Sequence, residues 1–168
     1  LPDHAGRLDG RRVLIGGLAL SPGHTIATTS AELTRMVTEM RAQFTRGFDF
    51  ETAGVSWWKG QLPIGFACGY LTPNGDPRAW YVPFGHRTME RQTTREIAQA
   101  AFRDALEGAG ELVAHNAGFD LNMGRAGGFD IPEWTPLHDT LIQAYQVNEN
   151  RRFKLEKVAE ELQISPYY

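Results

Sequence analysis

Two carboxylates, Asp49 and Glu51, stand two positions apart inside an apolar segment, residues 47–54 (GFDFETAG). In an extended segment side chains alternate between two faces, so both acids share one face while Phe48 and Phe50 point to the other. Neighbouring carboxylates repel each other and are costly to desolvate unless a cation or an open cleft lies against them. The pair is therefore a candidate metal site, although a strand with one solvated face predicts the same alternation.

A third acid, Asp120, follows a short apolar run, residues 112–114, which we predict to be a parallel strand. Ligands of open α/β sheets bind beyond the carboxyl ends of strands, which is where Asp120 falls, with Asn116 one helical turn before it. Carboxylates gathered there favour Mg²⁺ or Mn²⁺ over zinc, and two such ions suit phosphodiester hydrolysis. We expect Asp49, Glu51 and Asp120 to converge on a catalytic site that binds two metal ions.

Alternating and helical patterns place these acids in an α/β domain. Besides the strand that carries Asp49, strands are predicted at residues 13–20, 62–71, 79–84 and 112–114, and helices at residues 30–44, 93–108, 117–123, 140–147 and 155–162. The turn signal at residues 73–76 makes three consecutive antiparallel strands, which parallel strands then follow. We therefore predict a mixed sheet flanked by helices.

Two details of these elements can be compared with a structure. Ser30 is the predicted N-cap of the first helix, and residues 93–96 (TTRE) have the spacing of a capping box. Gly65, Ala67 and Gly69 share one face of their strand, so that a helix or a neighbouring backbone can approach closely there.

Composition limits the class of protein. The chain of 168 residues is the length of one domain, residues 1–168. Its single cysteine, Cys68, excludes an internal disulfide and is typical of a reducing compartment, so we expect a cytoplasmic protein. No apolar run is long enough to span a membrane. The net charge of -3 gives no global basic field for binding nucleic acid, but local cations and metal ions can still contact phosphates.

Five segments, in order, resemble a known family. FDFETAG is similar to the first motif of the DEDD 3′-to-5′ exonucleases, and HNAGFDLNM is similar to their second. YVPFGHR, LHDTLIQAY and FKLEKVAEEL resemble in particular the proofreading exonuclease domain of family A DNA polymerases. The resemblance covers residues 30–163.

The resemblance implies a ribonuclease H-like fold and a nuclease that uses two metal ions. Asp49, Glu51 and Asp120 would be its metal ligands and catalytic acids. The substrate would be a single-stranded or frayed DNA 3′ end, with a polymerase domain attached. Residues that match the family's contacts to the terminal nucleotides are Thr52, Val55, His115, Asn116 and Phe119.

The family's third motif, which supplies a fourth carboxylate and a group that orients water, has no match. Tyr167 and Tyr168 are not followed by the required Asp, so we do not assign them this role. Three explanations remain open: the chain is part of a longer protein, another chain supplies the acid, or catalysis has been lost. We favour the first, because Asp49, Glu51 and Asp120 are all present.

Several residues have simpler interpretations than a functional one. Asp139, directly before a helix, is first a candidate N-cap. His86 is expected to have a local structural role. Trp57 and Trp58 either grip a single strand together with Lys59 or belong to the core or an interdomain surface.

Two alternatives to the DNA exonuclease remain. An RNA-trimming exonuclease of the same superfamily would share all three acids, since only contacts to the 2′-hydroxyl distinguish the substrates. A catalytically inactive domain that binds nucleic acid or serves as a scaffold could also retain this fold.

Overall fold

The computed structural model describes the backbone of residues 14–15 and 18–19 and all atoms of residues 23–150 and 153–161. The strands are β1 (Leu14–Ile15), β2 (Leu18–Ala19), β3 (His24–Ile26), β4 (Thr45–Thr52), β5 (Pro63–Leu71), β6 (Pro77–Pro83), β7 (Glu111–Ala114) and β8 (Leu137–Asp139). The helices are α1 (Ser30–Arg41), α2 (Arg95–Leu106), α3 (Ala117–Ala126), α4 (Thr140–Val147) and α5 (Leu155–Glu161), and Trp57–Lys59 forms a 3-10 turn. In this described part, no helix combines the length and apolar character needed to span a bilayer.

The sheet has the predicted mixed topology. Six strands lie in the order β3-β6-β5-β4-β7-β8. The three central strands β4, β5 and β6 are antiparallel, whereas β7 runs parallel to β4 and β8 runs parallel to β7. The prediction of antiparallel strands followed by parallel ones is confirmed. The edge strands β3 and β8 were not predicted, because each has only three residues of mixed polarity and shows neither a period nor an apolar run.

The single strand predicted over residues 13–20 is wrong where the structure describes it. β1 and β2 instead form their own antiparallel pair, separate from the main sheet, with Leu14 opposite Ala19 and Ile15 opposite Leu18. The sequence between them is Gly-Gly, a dipeptide typical of tight turns. Val13 and Leu20 lie outside the described residues.

One face of the sheet is covered by α1 and α2 and forms the aromatic core. Phe102 of α2 is fully buried, and its ring centroid lies 5.8 Å from that of Phe48, 5.0 Å from Phe50 and 5.1 Å from Phe66. These rings meet mostly edge to face, a favourable geometry for aromatic pairs. Because Phe48 and Phe50 are committed to this core, the alternation of β4 directs the residues between and after them to the other face.

The ends of α1 and α2 differ from their predicted caps. The N-cap of α1 is Thr29 rather than Ser30, and it forms a capping box with Glu32. The capping box predicted for α2 is wrong, because its N-cap is Thr94, whose side chain accepts from the N–H of Ile97. The residue at the third helical position is thus apolar and cannot bond back to the cap.

A buried arginine joins the C-terminal ends of α1 and α2. Arg46 of β4 is only 2% exposed, and its guanidinium donates to the carbonyls of Arg41, Gln43, Ala105 and Glu107 over distances of 2.8 to 3.2 Å. Carbonyls at the end of a helix have no partner within the helix, so these bonds satisfy groups that would otherwise be buried without one.

Replacing Arg46 by Met is expected to lower the free energy of unfolding by about 3 kcal/mol or more, because one buried and three partly buried hydrogen bonds to backbone carbonyls lose their charged donor. Urea unfolding followed by circular dichroism measures the loss. The matched control is Arg103→Met on α2, whose side chain is 56% exposed. Equal losses for the two variants would contradict the role that we assign to Arg46.

Candidate active site

Asp49 and Glu51 lie on the face of β4 opposite the aromatic core, and both are exposed. Across the antiparallel pairing, Asp49 stands opposite Ala67 and Glu51 opposite Gly65. These neighbours have almost no side chain, so neither of them covers the two carboxylates. The first part of the sequence prediction, two acids on one face of a strand with Phe48 and Phe50 on the other, therefore describes this strand.

The pairing of β4 with β5 is interrupted beside the acids. The register shifts between Glu51 and Thr52, which stands opposite Pro63. Proline has no N–H to donate to a strand ladder, so regular pairing ends where β5 begins. Such bulges occur beside functional sites, where they re-aim side chains.

Asp120 connects α3 directly to the acidic strand. Its side chain is 1% exposed, and its Oδ1 accepts a hydrogen bond of 2.9 Å from the N–H of Phe50. The pairing of β4 with β7 covers only residues 45–47, so the later backbone groups on that edge of β4 need other partners. Asp120 supplies one, and this places its carboxyl beside the strand between Asp49 and Glu51.

The carboxylates of this cluster repel one another. Burial, followed by the charge of Asp49, raises the pKa of Asp120 to about 7, although the bond from Phe50 offsets part of this rise. Burial and the charge of Glu51 raise the pKa of Asp49, while His115 lowers it. Solvent still reaches the Asp49 side chain, so its desolvation comes from protein atoms packed around a carboxyl at the floor of a depression.

That depression is a cavity of about 300 Å³ on the acidic face. Its walls include Asp49, Ala67, Gly69, His115 and Thr140. His115 is held in place through both ring nitrogens: Nε2 donates to the carbonyl of Phe153 at 2.7 Å, and Nδ1 bonds to Thr140 Oγ1 at 2.9 Å. His115 is thereby a fixed wall of the cavity, positioned by α4 and by the segment before α5.

Tyr81 and His86 are site neighbours that the sequence interpretation missed. Tyr81 is paired with Ala67, one strand beyond Asp49, and a Cβ added to Gly65 would lie 2.0 Å from the Tyr81 hydroxyl. Gly65 therefore makes room for a side chain, whereas Gly69 has the predicted close approach of a neighbouring backbone, since an added Cβ would lie 2.7 Å from the carbonyl oxygen of Arg78. The hydroxyl bonds to His86 Nε2. Burial and the charges of Glu51 and Asp49 raise the pKa of Tyr81.

Asp139 has a larger structural role than the predicted N-cap. Its side chain does cap α4, since Oδ1 accepts from the N–H of Leu141 at 2.9 Å. The same carboxylate also accepts from the N–H groups of Asn116 and Ala117 at the start of α3, both at 2.9 Å. Asn116 has a φ of 63°, a left-handed conformation that is uncommon outside glycine. Asp139 therefore fixes the turn that leads into the Asp120 helix.

Asp139→Ala is expected to lower the free energy of unfolding by about 2 kcal/mol or more, because three N–H groups lose their acceptor. Asp139→Asn retains one carbonyl oxygen and should lose less. Urea unfolding of the two variants makes the comparison, and equal stability of Asp139→Ala and the unmodified chain would be incompatible with these contacts.

The other predicted site residues surround the same end of the sheet. Thr52 ends β4 and Val55 follows it, while Asn116 and Phe119 follow β7, and these two strands are parallel. Val55 is 69% exposed, Asn116 is exposed and Phe119 is half-buried. This placement leaves Val55 and Asn116 accessible to a ligand at the acidic face.

The acids match a hard divalent cation in chemistry but do not form a closed ligand set. Carboxylate oxygens suit Mg²⁺ or Mn²⁺, and a cation would offset the burial and the repulsion that together raise the pKa of Asp49 and of Asp120. Within residues 23–150 and 153–161, however, no three His, Cys, Asp or Glu side chains stand close enough together to hold a metal ion. The donor types therefore fit, while ligation requires the exposed side chains of Asp49 and Glu51 to move.

Solved structures resemble this chain, whereas no protein-family model and no curated protein matches it. The RNase domain of the yeast Pop2 protein is 11% identical, with 86% of this chain and 79% of that chain covered and a TM-score of 0.59. Escherichia coli RNase D, an exoribonuclease involved in structured RNA processing, is 17% identical, with 82% and 32% covered and a TM-score of 0.53. Brucella melitensis NrnC with bound Mg²⁺ is 16% identical, with 83% and 60% covered and a TM-score of 0.52.

At these identities the likeness concerns the fold. The chain has the ribonuclease H-like α/β fold of these structures, and the predicted fold class is confirmed. It spans about a third of the RNase D chain and about three fifths of the NrnC chain.

Proposed function

We propose that this chain is a 3′-to-5′ exonuclease that hydrolyses phosphodiester bonds at single-stranded or frayed 3′ ends. The observation that carries the proposal is the placement of three acids at one end of the sheet: Asp49 and Glu51 on an open face, and the buried Asp120 bonded to their strand. The fold shared with ribonuclease structures and the five motifs in matching order support the same activity.

Each acid has a role in this proposal. Asp49, Glu51 and Asp120 would hold two Mg²⁺ or Mn²⁺ ions. Such ions, when bound, supply an activated water and stabilise the charge on the leaving oxygen. Asp120 is the fixed member, since its bond to Phe50 sets its position, while the exposed Asp49 and Glu51 can adjust. Mg²⁺ is the ion bound in the NrnC structure.

The terminal nucleotides would contact residues around the acids. The proposed substrate surface consists of Thr52 at the end of β4, Val55 after it, and His115, Asn116 and Phe119 after β7. Phe119 offers an aromatic face that suits a base or a sugar. His115, held by Thr140 and Phe153, would keep its ring fixed beside the substrate.

The resemblance to family A DNA polymerases leads us to propose DNA as the substrate, in a proofreading role beside a polymerase domain. RNA is the second candidate substrate, because the similar Pop2 structure is an RNase domain and RNase D is an exoribonuclease. The two substrates differ at the 2′-hydroxyl, and the three acids serve both.

The test is hydrolysis of 5′-labelled single strands of DNA and of RNA with the same sequence, in Mn²⁺ and in EDTA. We expect a ladder that shortens from the 3′ end in Mn²⁺ and is absent in EDTA. The ratio of the two rates identifies the preferred sugar. Intact DNA and RNA in saturating Mn²⁺ would contradict the proposal and favour an inactive domain that binds nucleic acid or serves as a scaffold.

A further inference from the structure

Two adjacent tryptophans project from the loop that follows the acidic strand. Trp57 and Trp58 lie in the 3-10 turn, and their rings meet edge to face with centroids 4.7 Å apart. Trp58 is 65% exposed, although burying an indole is strongly favourable. A large aromatic surface left in solvent beside a candidate active site is a candidate binding surface.

The loop holds these rings in a defined position. The N–H of Ala53 donates to the carbonyl of Leu62 and closes the loop at its base. Ser56 N–H donates to Gln61 Oε1 at 2.7 Å, and Gly60 N–H donates to the carbonyl of Trp57 at 3.0 Å. A side chain presented by a pre-ordered loop loses little entropy when it binds.

The position of the loop connects it with the acids. The loop begins two residues after Glu51, and its 3-10 turn packs against α3, the helix that carries Asp120. Lys59, next to Trp58, is exposed. One loop therefore presents an aromatic face and a cation beside a cluster of carboxylates.

Electrostatics indicates what such a surface would bind. The chain has a net charge of -3, and its exposed acids repel phosphates, so phosphate contacts alone would hold a nucleic-acid strand weakly. Stacking of a base on an aromatic ring does not depend on that charge and accepts any base. A polypeptide partner has no need to reach the acids, whereas a nucleic-acid strand that is hydrolysed at the acidic face has to lie beside them.

We infer that Trp58, supported by Trp57, stacks on a base of a single-stranded nucleic acid whose end occupies the acidic face, while Lys59 contacts its backbone. The inference rests on the proposed function and adds how an acidic chain retains its substrate. Duplex DNA, whose bases are already stacked, is a poor ligand for this surface.

The experiment measures binding without hydrolysis. Fluorescence anisotropy of labelled oligothymidylate and oligouridylate in EDTA gives the Kd. Trp58→Ala is expected to raise the Kd about fivefold or more, the effect of losing one base stack. Trp134→Ala is the matched control: Trp134 is 95% exposed but precedes β8, at the opposite end of the parallel strands, and should leave the Kd unchanged.

Two further substitutions separate stacking from general apolar contact. Trp58→Phe keeps an aromatic face and should lose less affinity than Trp58→Leu. Lys59→Gln should weaken binding and reduce its dependence on salt. Thermal melting confirms that each variant is folded, which the exposure of Trp58 leads us to expect.

Three results would overturn the inference: equal Kd values for Trp58→Ala and Trp134→Ala, equal losses for Trp58→Leu and Trp58→Phe, or self-association that depends on Trp58 while strand binding does not. Because binding is measured in EDTA, these results are independent of hydrolysis. If the chain hydrolyses the strand but Trp58→Ala binds it with an unchanged Kd, only the proposed stacking surface is refuted. If binding depends on Trp58 but no hydrolysis occurs in Mn²⁺, only the proposed exonuclease activity is refuted.

Discussion

Asp49→Asn is expected to reduce the hydrolysis of a single strand by at least about a thousandfold, since metal-bound carboxylates contribute several kcal/mol to stabilising the transition state. The substitution preserves shape and removes one charge. Because the charge of Asp49 raises the pKa of Asp120, its removal also relieves repulsion in the folded state. The melting temperature should therefore stay the same or rise while activity disappears.

The control is Asp76→Asn, an exposed acid in the turn between β5 and β6, at the end of the sheet opposite Glu51. It removes the same charge far from the cluster and should retain full activity. Rates are measured from the 3′-shortening ladder in Mn²⁺, and melting is measured in EDTA. Hydrolysis by Asp49→Asn at the rate of Asp76→Asn would remove Asp49 from the active site.

The acidic strand could be predicted because its signal is local. Phe48 and Phe50 alternate with Asp49 and Glu51, and alternation alone decides which pair enters the core. The end of the next parallel strand likewise brings Asp120 to the same edge. Both inferences require only the period of a strand and the general placement of ligand sites.

The contacts that lock the site were not predictable, because they depend on where the chain departs from regular pairing. Asp120 bonds to Phe50 only because β4 leaves β7 after residue 47. Tyr81 faces the acids by the alternation of β6, a signal that was available, but its partner His86 lies in an irregular loop. That loop is fixed by Gln92, whose amide bonds to the backbone of His86, and such contacts leave no period in a sequence.

The same limit explains Arg46 and Asp139. Each satisfies backbone groups of two elements that are distant in sequence, so the side chain alone suggests only a solvated cation or a single helix cap. Their role appears once the ends of two elements are adjacent in space. Tertiary contacts of this kind override what local propensity indicates.

Asp120→Asn is expected to make the chain more stable than the unmodified protein at pH 8 and to remove part of its pH dependence. Asp120 has a folded-state pKa of about 7, against an ordinary value of 3.8. Between these two pH values the folded state holds a proton that the unfolded state has released, so the free energy of unfolding falls as the pH rises through this window. Above about pH 7 and below about pH 3.8, this carboxyl contributes no slope.

Asparagine is neutral at every pH, and its Oδ1 can still accept from the N–H of Phe50, so the substitution retains the bond and removes the buried charge. The gain in stability should be largest at pH 8 and shrink towards pH 4, where Asp120 is itself neutral. Urea unfolding in EDTA from pH 4 to pH 8 measures it, with the exposed Asp130→Asn as control. A gain in stability that does not vary with pH, or a loss of stability at pH 8, would mean that burial and the charge of Asp49 do not raise the pKa of Asp120.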